Sequence, residues 1–319
     1  MILPCFNIEA YAARTVQCLH RNAAPGIEFV LVDDGSTDAT GAILADHVDQ
    51  LPGGRLITLP HNSGLSAARN AGLAAAAGEY LTFLDGDDFV APGYFSTLLS
   101  EIQRLRCDMI RTDHVQVRGR QRSVHRINYG PRGVVGVPKG AILPIYRPTS
   151  VDAAHAWAGI YHRRLLDADL LWFDEHLRTC EDRPWIWRLH LKAESFAVVG
   201  LIGVFYRRDI TTSLTQITDE RQFDFIPAFD QIVAEVSVDP DADQLLPKAI
   251  RTYCAIMHHH LGRRNRYEPE LAVKLTERCG QALRRLPAAT LDDVMTGLDK
   301  RRSGALAGVM LAGTGFLAS

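Results

Sequence analysis

Residues 78–88 read GEYLTFLDGDD. An apolar run from Tyr80 to Leu84 passes straight into Asp85, Asp87 and Asp88, with Gly86 as the only break. The run has the length and composition of a core strand, yet it ends in a cluster of negative charge. Held extended, it would send Asp85 and Asp87 to one side and Asp88 to the other. Two carboxylates about 5 Å apart repel by roughly 1 to 3 kcal/mol, which a solvated turn tolerates, and Asp-Gly is a common turn signal. A divalent cation would turn the same repulsion into a ligand set, because hard carboxylate oxygens suit Mg2+ or Mn2+. Such ions usually take a phosphate as the remaining ligand.

Three more apolar runs precede this one: ILPCF (2–6), EFVLVDD (28–34) and RLITLP (55–60). They alternate with helical stretches. AYAARTVQCLH (10–20) carries Ala12, Val16 and Leu19 at helical spacing, and DATGAILADHV (38–48) turns Ile43, Leu44 and Val48 inward. SAARNAGLAAAAG (66–78) is alanine-rich, and Gly78 is placed to close it with a left-handed cap. Strands apolar on both faces belong to a parallel sheet covered by helices on both sides, so this half is α/β and doubly wound. Each strand ends in polar residues: Asn7 and Glu9, Asp33 and Asp34, His61 and Asn62, then Asp85 to Asp88. In open parallel sheets the ligand crevice lies outside those carboxyl ends. Four strand ends therefore converge on one polar site.

Beyond residue 90 a helix (92–105) and a strand (108–117) follow, then a Gly-, Pro- and Arg-rich stretch (118–150) that suits a long mobile loop at a site's edge. A second structured stretch runs over 156–192 and a strand over 196–208; residues 220–300 read as helices. The chain divides near residue 215 into an α/β part (1–215) and a helical C-terminal region (216–319).

Bulk properties narrow the function. A formal net charge of −2 gives no reason to expect nucleic acid as a partner. Six cysteines without CxxC spacing, and no signal peptide, point to free thiols in a reducing cytoplasm. No window reaches the roughly 18–20 apolar residues of a spanning helix. MILPCF reads as the second half of a buried strand, so either that strand is short or the natural start lies upstream.

Each remaining motif has two readings. VDDGSTDAT (32–40) serves as a loop with Ser36 or Thr37 capping the next helix, or offers Asp33 and Asp34 to the N–H of a base or a ribose hydroxyl. Arg69 suits a diphosphate, or pairs with nearby acids. In TCEDRPW (179–185), Thr179 and Asp182 have capping-box spacing, and acids belong in a first helical turn. Trp157, Trp185 and Trp187 suit an acceptor sugar or the core, the core being favoured for two of the three. His258, His259 and His260 face different directions on a helix and, with Arg263, Arg264 and Arg266, form a basic patch.

Four stretches in order, ILPCFNIEAYAARTV, VDDGSTDAT, HNSGLSAARNAGLAAAAGEYLTFLDGDD and TCEDRPWIWRL, resemble the successive motifs of the family 2 glycosyltransferases, inverting enzymes of the GT-A fold. The resemblance covers residues 1 to about 215. It implies a Rossmann-like, mostly parallel sheet flanked by helices, and a nucleotide-sugar donor, most often a UDP-sugar. It implies a hydroxyl-bearing acceptor: a glycan, a lipid-linked sugar or a small molecule. It places Asp85 near the donor ribose and diphosphate, and Asp87, with Asp85, on a Mn2+ or Mg2+ ion. Asp33 and Asp34 match the acids that read base and ribose, and Arg69 an arginine near the diphosphate. Pro4, Phe6 and Glu9 fall at the nucleotide end, Phe6 standing where the family usually has a tyrosine that stacks on the base. Asp182 matches the base that takes the acceptor proton, with Glu181 supporting it. VFYRRDITTSLTQ (204–216) resembles a segment that often follows the catalytic domain, from which Arg207 or Arg208 would reach the donor phosphates.

The tail DKRRSGALAGVMLAGTGFLAS (299–319) is too short and mild to span a bilayer. A packed helix, a homo-oligomer contact or a weak anchor at the inner membrane face all fit it. Two rivals stand beside the transferase. A sugar-1-phosphate nucleotidyltransferase should carry a Gly-rich, Arg/Lys-bearing loop after strand one, which FNIEAYAART is not; a non-catalytic nucleotide- or glycan-binding homologue should not keep both acid clusters.

Overall fold

The computed structural model describes residues 1–208 and 216–312. Strand β1 (Ile2–Cys5) lies beside β2 (Phe29–Asp33), and β2 beside β3 (Gly54–Thr58), all parallel. Every residue of β1 and β2 is buried, so both faces of those strands are covered. Helices α1 (Glu9–His20), α2 (Thr40–Val48) and α3 (Leu65–Ala75) alternate with the strands as the apolar spacing predicts. α3 packs on β1 and β2, and α2 on β2 and β3.

The fourth apolar run is β4 (Tyr80–Leu81) followed by an extended continuation. Phe83 bridges Ile2 in parallel; Ile2 N donates to Thr82 O at 2.8 Å and Leu84 N to Ile2 O at 3.0 Å. These bonds place the LDGDD acids beside the end of β1. They also join the first three strands to a second set, β4-β8-β6-β9-β5, in which β5 is Phe89–Val90, β6 Met109–Arg118, β8 Gly159–His162 and β9 Phe196–Arg207. The α/β class holds. The second half is mixed: β6 and β9 run parallel, while β4–β8, β6–β8 and β5–β9 are antiparallel.

Two local expectations fail. Gly78 makes no left-handed cap: α3 ends at Ala75, Ala76 is extended, and the Ala77 and Gly78 amides donate to Glu28 Oε1 at 2.6 and 2.7 Å. A carboxylate from the neighbouring strand has taken the donors that a cap would have used. The stretch 118–150 is not uniformly loop, because β7 (Gln121–His125) forms an antiparallel hairpin with β6 and Pro138–Ile142 is a 3-10 turn.

Helices α4 (Tyr94–Leu105), α5 (Arg164–Asp167) and α6 (Asp182–Lys192) complete the α/β part. Then follow α7 (Phe225–Ser237), α8 (Ala242–Leu261), α9 (Pro269–Arg285), α10 (Ala288–Thr296) and α11 (Lys300–Ala312). This helical region packs back on the sheet layer: α7 lies on α6, and buried Lys248 donates to Asp152 Oδ2 at 2.7 Å and Arg147 O at 2.8 Å. The first part of the tail is a packed helix: α11 lies on α9, Leu306 is buried, and Arg284 Nη1 donates to Met310 O at 2.8 Å, while residues 313–319 lie outside the described residues. Within the basic patch, His260 stacks on Phe225 with centroids 4.4 Å apart. Among the described residues no helix is long and apolar enough to cross a membrane.

The close seat of α3 on β1 depends on Gly72, where a Cβ would drive into the Ile2 side chain. Gly72→Ala is expected to cost about 1–3 kcal/mol through overpacking. Urea unfolding should show a lower midpoint at unchanged m value.

Candidate active site

The Asp cluster is a turn rather than an extended segment: Asp88 N donates to Asp85 O at 3.0 Å. Gly86 sits under the end of β1, where a Cβ would lie 2.7 Å from Ile8 Cδ1 and 2.9 Å from Pro4 O. Thr15 on α1 clamps the turn from below, its hydroxyl donating to Gly86 O at 2.9 Å and within reach of Asp88 O at 3.2 Å. Thr15 is fully buried on the face that carries Ala12, Val16 and Leu19. A polar residue on a helix's apolar face was the sequence signal for it, and it went unread.

Arg69, 3% exposed, reaches both acid motifs. Nη2 meets Asp85 Oδ1 at 2.9 Å and Nη1 meets Glu181 Oε1 at 2.7 Å, with the guanidinium 5.0 Å above the Phe173 ring. Burial opposes the charge of Arg69, and Asp85 and Glu181 more than offset it, holding its pKa above the usual value. Of its two sequence readings, the structure displays pairing with acids.

Glu181 precedes α6, and Asp182 is the first residue of that helix. No side chain caps it: the Thr179 hydroxyl donates instead to Arg221 O at 2.6 Å, so the capping box is not formed. A partner remote in sequence has displaced the local one. Cys180 holds φ +63°, a left-handed value uncommon outside glycine and Asn/Asp. Below α6, Trp185 stacks on Phe173 at 5.0 Å and meets Phe83 edge-on at 6.1 Å, tying the Glu-Asp helix to the Asp-cluster strand through the core.

The remaining sequence candidates are spread along the strand ends. Asp34, 2% exposed, accepts from Ser63 N and Gly64 N at 2.7 and 2.8 Å and so fixes the loop after β3; burial raises its carboxyl pKa. Asp33, also buried, accepts from Ser36 N at 3.1 Å. Glu9 Oε2 accepts from Ala39 N at 3.0 Å, locking α1 to the start of α2. Pro4 is interior to β1, opposite Val32, whereas Phe6 emerges 41% exposed at the strand's end. Arg207 N donates to Asp88 Oδ1 at 2.7 Å, and its guanidinium lies over the rings of Tyr11 (4.8 Å) and Phe89 (5.1 Å). Arg208 Nη1 donates to Tyr206 Oη at 2.9 Å. Residues 209–215 of the segment after them lie outside the described residues. All three tryptophans in question are buried, so the one left open for a sugar is also covered: Trp157 stacks on His155 at 4.7 Å behind Tyr206.

The acids are electrostatically loaded. Burial and the Asp85 charge push Asp87 up to about 6. Burial, with Asp87 and Asp85, pushes Asp88 well above the carboxylate range, and its Oδ2 has no hydrogen-bond partner among the described residues. Burial and Glu181 push Asp182 up to about 7. Asp87 forms no ion pair among the described residues. Crowded oxygen donors with one acid unpaired fit a hard divalent cation. No three His, Cys, Asp or Glu side chains among the described residues gather as a complete cage.

The rim of the parallel-strand crevice thus carries an acidic turn joined by a buried arginine to a second acid pair. The chain matches the family model "Glycosyl transferase family 2" over residues 1–168, more than half its length, and belongs to that family. The uncharacterized glycosyltransferase EpsJ of Bacillus subtilis is 29% identical over 217 residues, 68% of this chain and 62% of EpsJ. The minor teichoic acid biosynthesis protein GgaA of the same organism is 28% identical over 222 residues, 65% of this chain and 46% of GgaA. The chain thus spans less than two thirds of either relative. In fold it is similar to S. aureus TarS 1-349 in complex with UDP-GlcNAc, with TM-score 0.77 at 18% identity, covering 98% of this chain and 87% of TarS 1-349.

The raised Asp182 pKa carries a sign. The folded state keeps the proton to higher pH than the unfolded one, so the carboxyl lowers stability as pH rises from about 4 to about 7 and by a constant amount above that. Asp182→Asn should therefore melt higher than wild type at pH 8, and the gap should narrow as pH falls from 7 toward 4. Equal melting temperatures at pH 8 would contradict the burial of this charge.

Proposed function

We propose that this chain is an inverting, metal-dependent glycosyltransferase that moves a sugar from a UDP-sugar to a hydroxyl of a glycan, lipid-linked or small-molecule acceptor. The observation that carries the reading is the Arg69 bridge: one buried cation binds a donor-side acid, Asp85, and an acceptor-side acid, Glu181. Family membership supports it. So do the UDP and UDP-GlcNAc complexes of TarS, and relatives named for teichoic acid and succinoglycan biosynthesis.

In this reading the exposed ring of Phe6 stacks on the base. Asp33 and Asp34 hold the loops around base and ribose through the backbone amides they accept. Asp87, with Asp85, would hold Mn2+ or Mg2+, diphosphate oxygens completing the ligands; a bound ion there supplies positive charge against the leaving group. Arg69 fixes Asp85 and Glu181, and Arg207 adds positive charge beside Asp87. Asp182 accepts the acceptor hydroxyl's proton on the face opposite the leaving group. A carboxylate whose pKa lies near 7 is suited to that work at neutral pH.

Thermal shift with UDP-sugars, with Mn2+ or with EDTA, tests the donor half. Asp87→Asn should abolish the Mn2+-dependent shift; retention of full affinity would remove Asp87 from the metal. Asp182→Asn should keep the shift while transfer falls by at least ~100-fold. Undiminished transfer would return Asp182 to a structural role.

A further inference from the structure

The loop that delivers the Glu-Asp pair is held from outside the α/β part. Asp224, just before α7, accepts at Oδ2 from Arg178 N at 2.6 Å and Thr179 N at 3.1 Å. The Thr179 hydroxyl answers with its bond to Arg221 O. On the other side, the Arg178 guanidinium donates to the carbonyl of Ser63, whose amide is bound by Asp34. Residues 178–180 are thus clamped between the first turn of the helical region and the loop at the nucleotide end. Cys180 follows at once in its left-handed conformation, then Glu181 on Arg69, then Asp182.

A non-glycine residue at positive φ persists only where its surroundings fix it. Here they are fixed by three hydrogen bonds to residues 221–224 and one to residue 63. Locally, the Cys180 carbonyl accepts from Arg183 N at 3.1 Å, but among the described residues no side chain caps α6. Without Asp224 the two loop amides lose their acceptor, and the Cys180 backbone is free to relax toward negative φ, carrying Glu181 and Asp182 with it.

We infer that Asp224 is a positioning residue of the transfer reaction, and that the segment 219–224 is a strap through which the helical region sets the placement of Asp182. The inference rests on the transferase reading above. The strap bonds the acceptor-side loop directly and reaches the Asp85–Asp87 turn only through Glu181 and Arg69, so its loss is read chiefly in turnover and little in donor binding.

Cys180 reports on the strap without any need for activity. It is a half-buried free thiol whose pKa burial pushes up, so alkylation in the native loop is slow. In full-length Asp224→Ala, N-ethylmaleimide labelling of Cys180, followed by peptide mass spectrometry, should rise by about 10-fold or more. Asp224→Asn, which keeps an acceptor oxygen, should restore slow labelling. UDP affinity with Mn2+ should stay near the wild-type value, while kcat for hydrolysis of UDP-GlcNAc, in which water takes the sugar and UDP leaves, falls roughly 10- to 100-fold at little-changed donor KM.

Unchanged labelling and kcat in Asp224→Ala overturn the strap. Loss of UDP affinity in step with kcat also overturns it, since the effect is then general. If Cys5, Cys107, Cys254 and Cys279 label faster too, the variant is unfolding, and Thr179→Val decides. That variant removes one hydroxyl donor and no charge: selective release of Cys180 upholds the strap, and none overturns it. Wild-type protein that neither binds UDP nor turns over UDP-GlcNAc, yet shows the labelling response, would remove that donor assignment while leaving the strap standing.

Discussion

One buried cation organises this site. Arg69 sits 3% exposed with a carboxylate on each side and an aromatic ring beneath, and both carboxylates come from chain segments that would otherwise repel each other. An unpaired guanidinium so deep would be costly, and breaking a buried pair by deleting one partner typically costs about 3–5 kcal/mol. Asp85 and Glu181 are therefore committed to fixed positions before any ligand arrives. Asp87 and Asp182, the neighbours of those two, are without ion pairs among the described residues and have raised pKa values. The scaffold neutralises one acid in each pair and leaves the other chemically available.

Much of the frame was legible in the sequence because short apolar runs ending in charged residues have few other solutions. ILPCF, EFVLVDD and RLITLP form the parallel strands they suggest, and the polar strand ends converge on one rim. Asp85 of DGDD and Glu181 of ED, both candidates in the sequence, are brought together by Arg69, a third. Local rules failed where a distant group outbid them. Glu28 removed the cap expected at Gly78, and Arg221 took the hydroxyl that capping-box spacing assigned to Asp182. Thr15 was hidden for another reason: a threonine on an apolar face reads as a minor packing residue until its carbonyl partners, 71 and 73 residues away, are known.

The tryptophans show the limit of reading side chains by type. Trp185 earns its burial by linking Phe83, Tyr161 and Phe173, so it supports the site from within without facing it. Trp157 is buried against His155 and Tyr206, two half-buried rings 4.7 and 5.3 Å from it. Composition could not separate a ring that touches ligand from one that positions such a ring.

The bond between Arg69 and Glu181 spans 112 residues of chain, and Asp224 lies a further 43 residues beyond Glu181. During synthesis at about 5–20 residues per second, the Asp85–Asp88 end of the crevice is therefore made roughly 10–30 s before the segment that completes the other end. In that interval Arg69 has only one of its two acids for most of the time, and the loop after residue 177 has no clamp. A nascent chain thus carries an asymmetric, half-neutralised pocket that matures only when the helical region leaves the ribosome. Placement of the Glu-Asp pair therefore waits on the synthesis of residues 219–224.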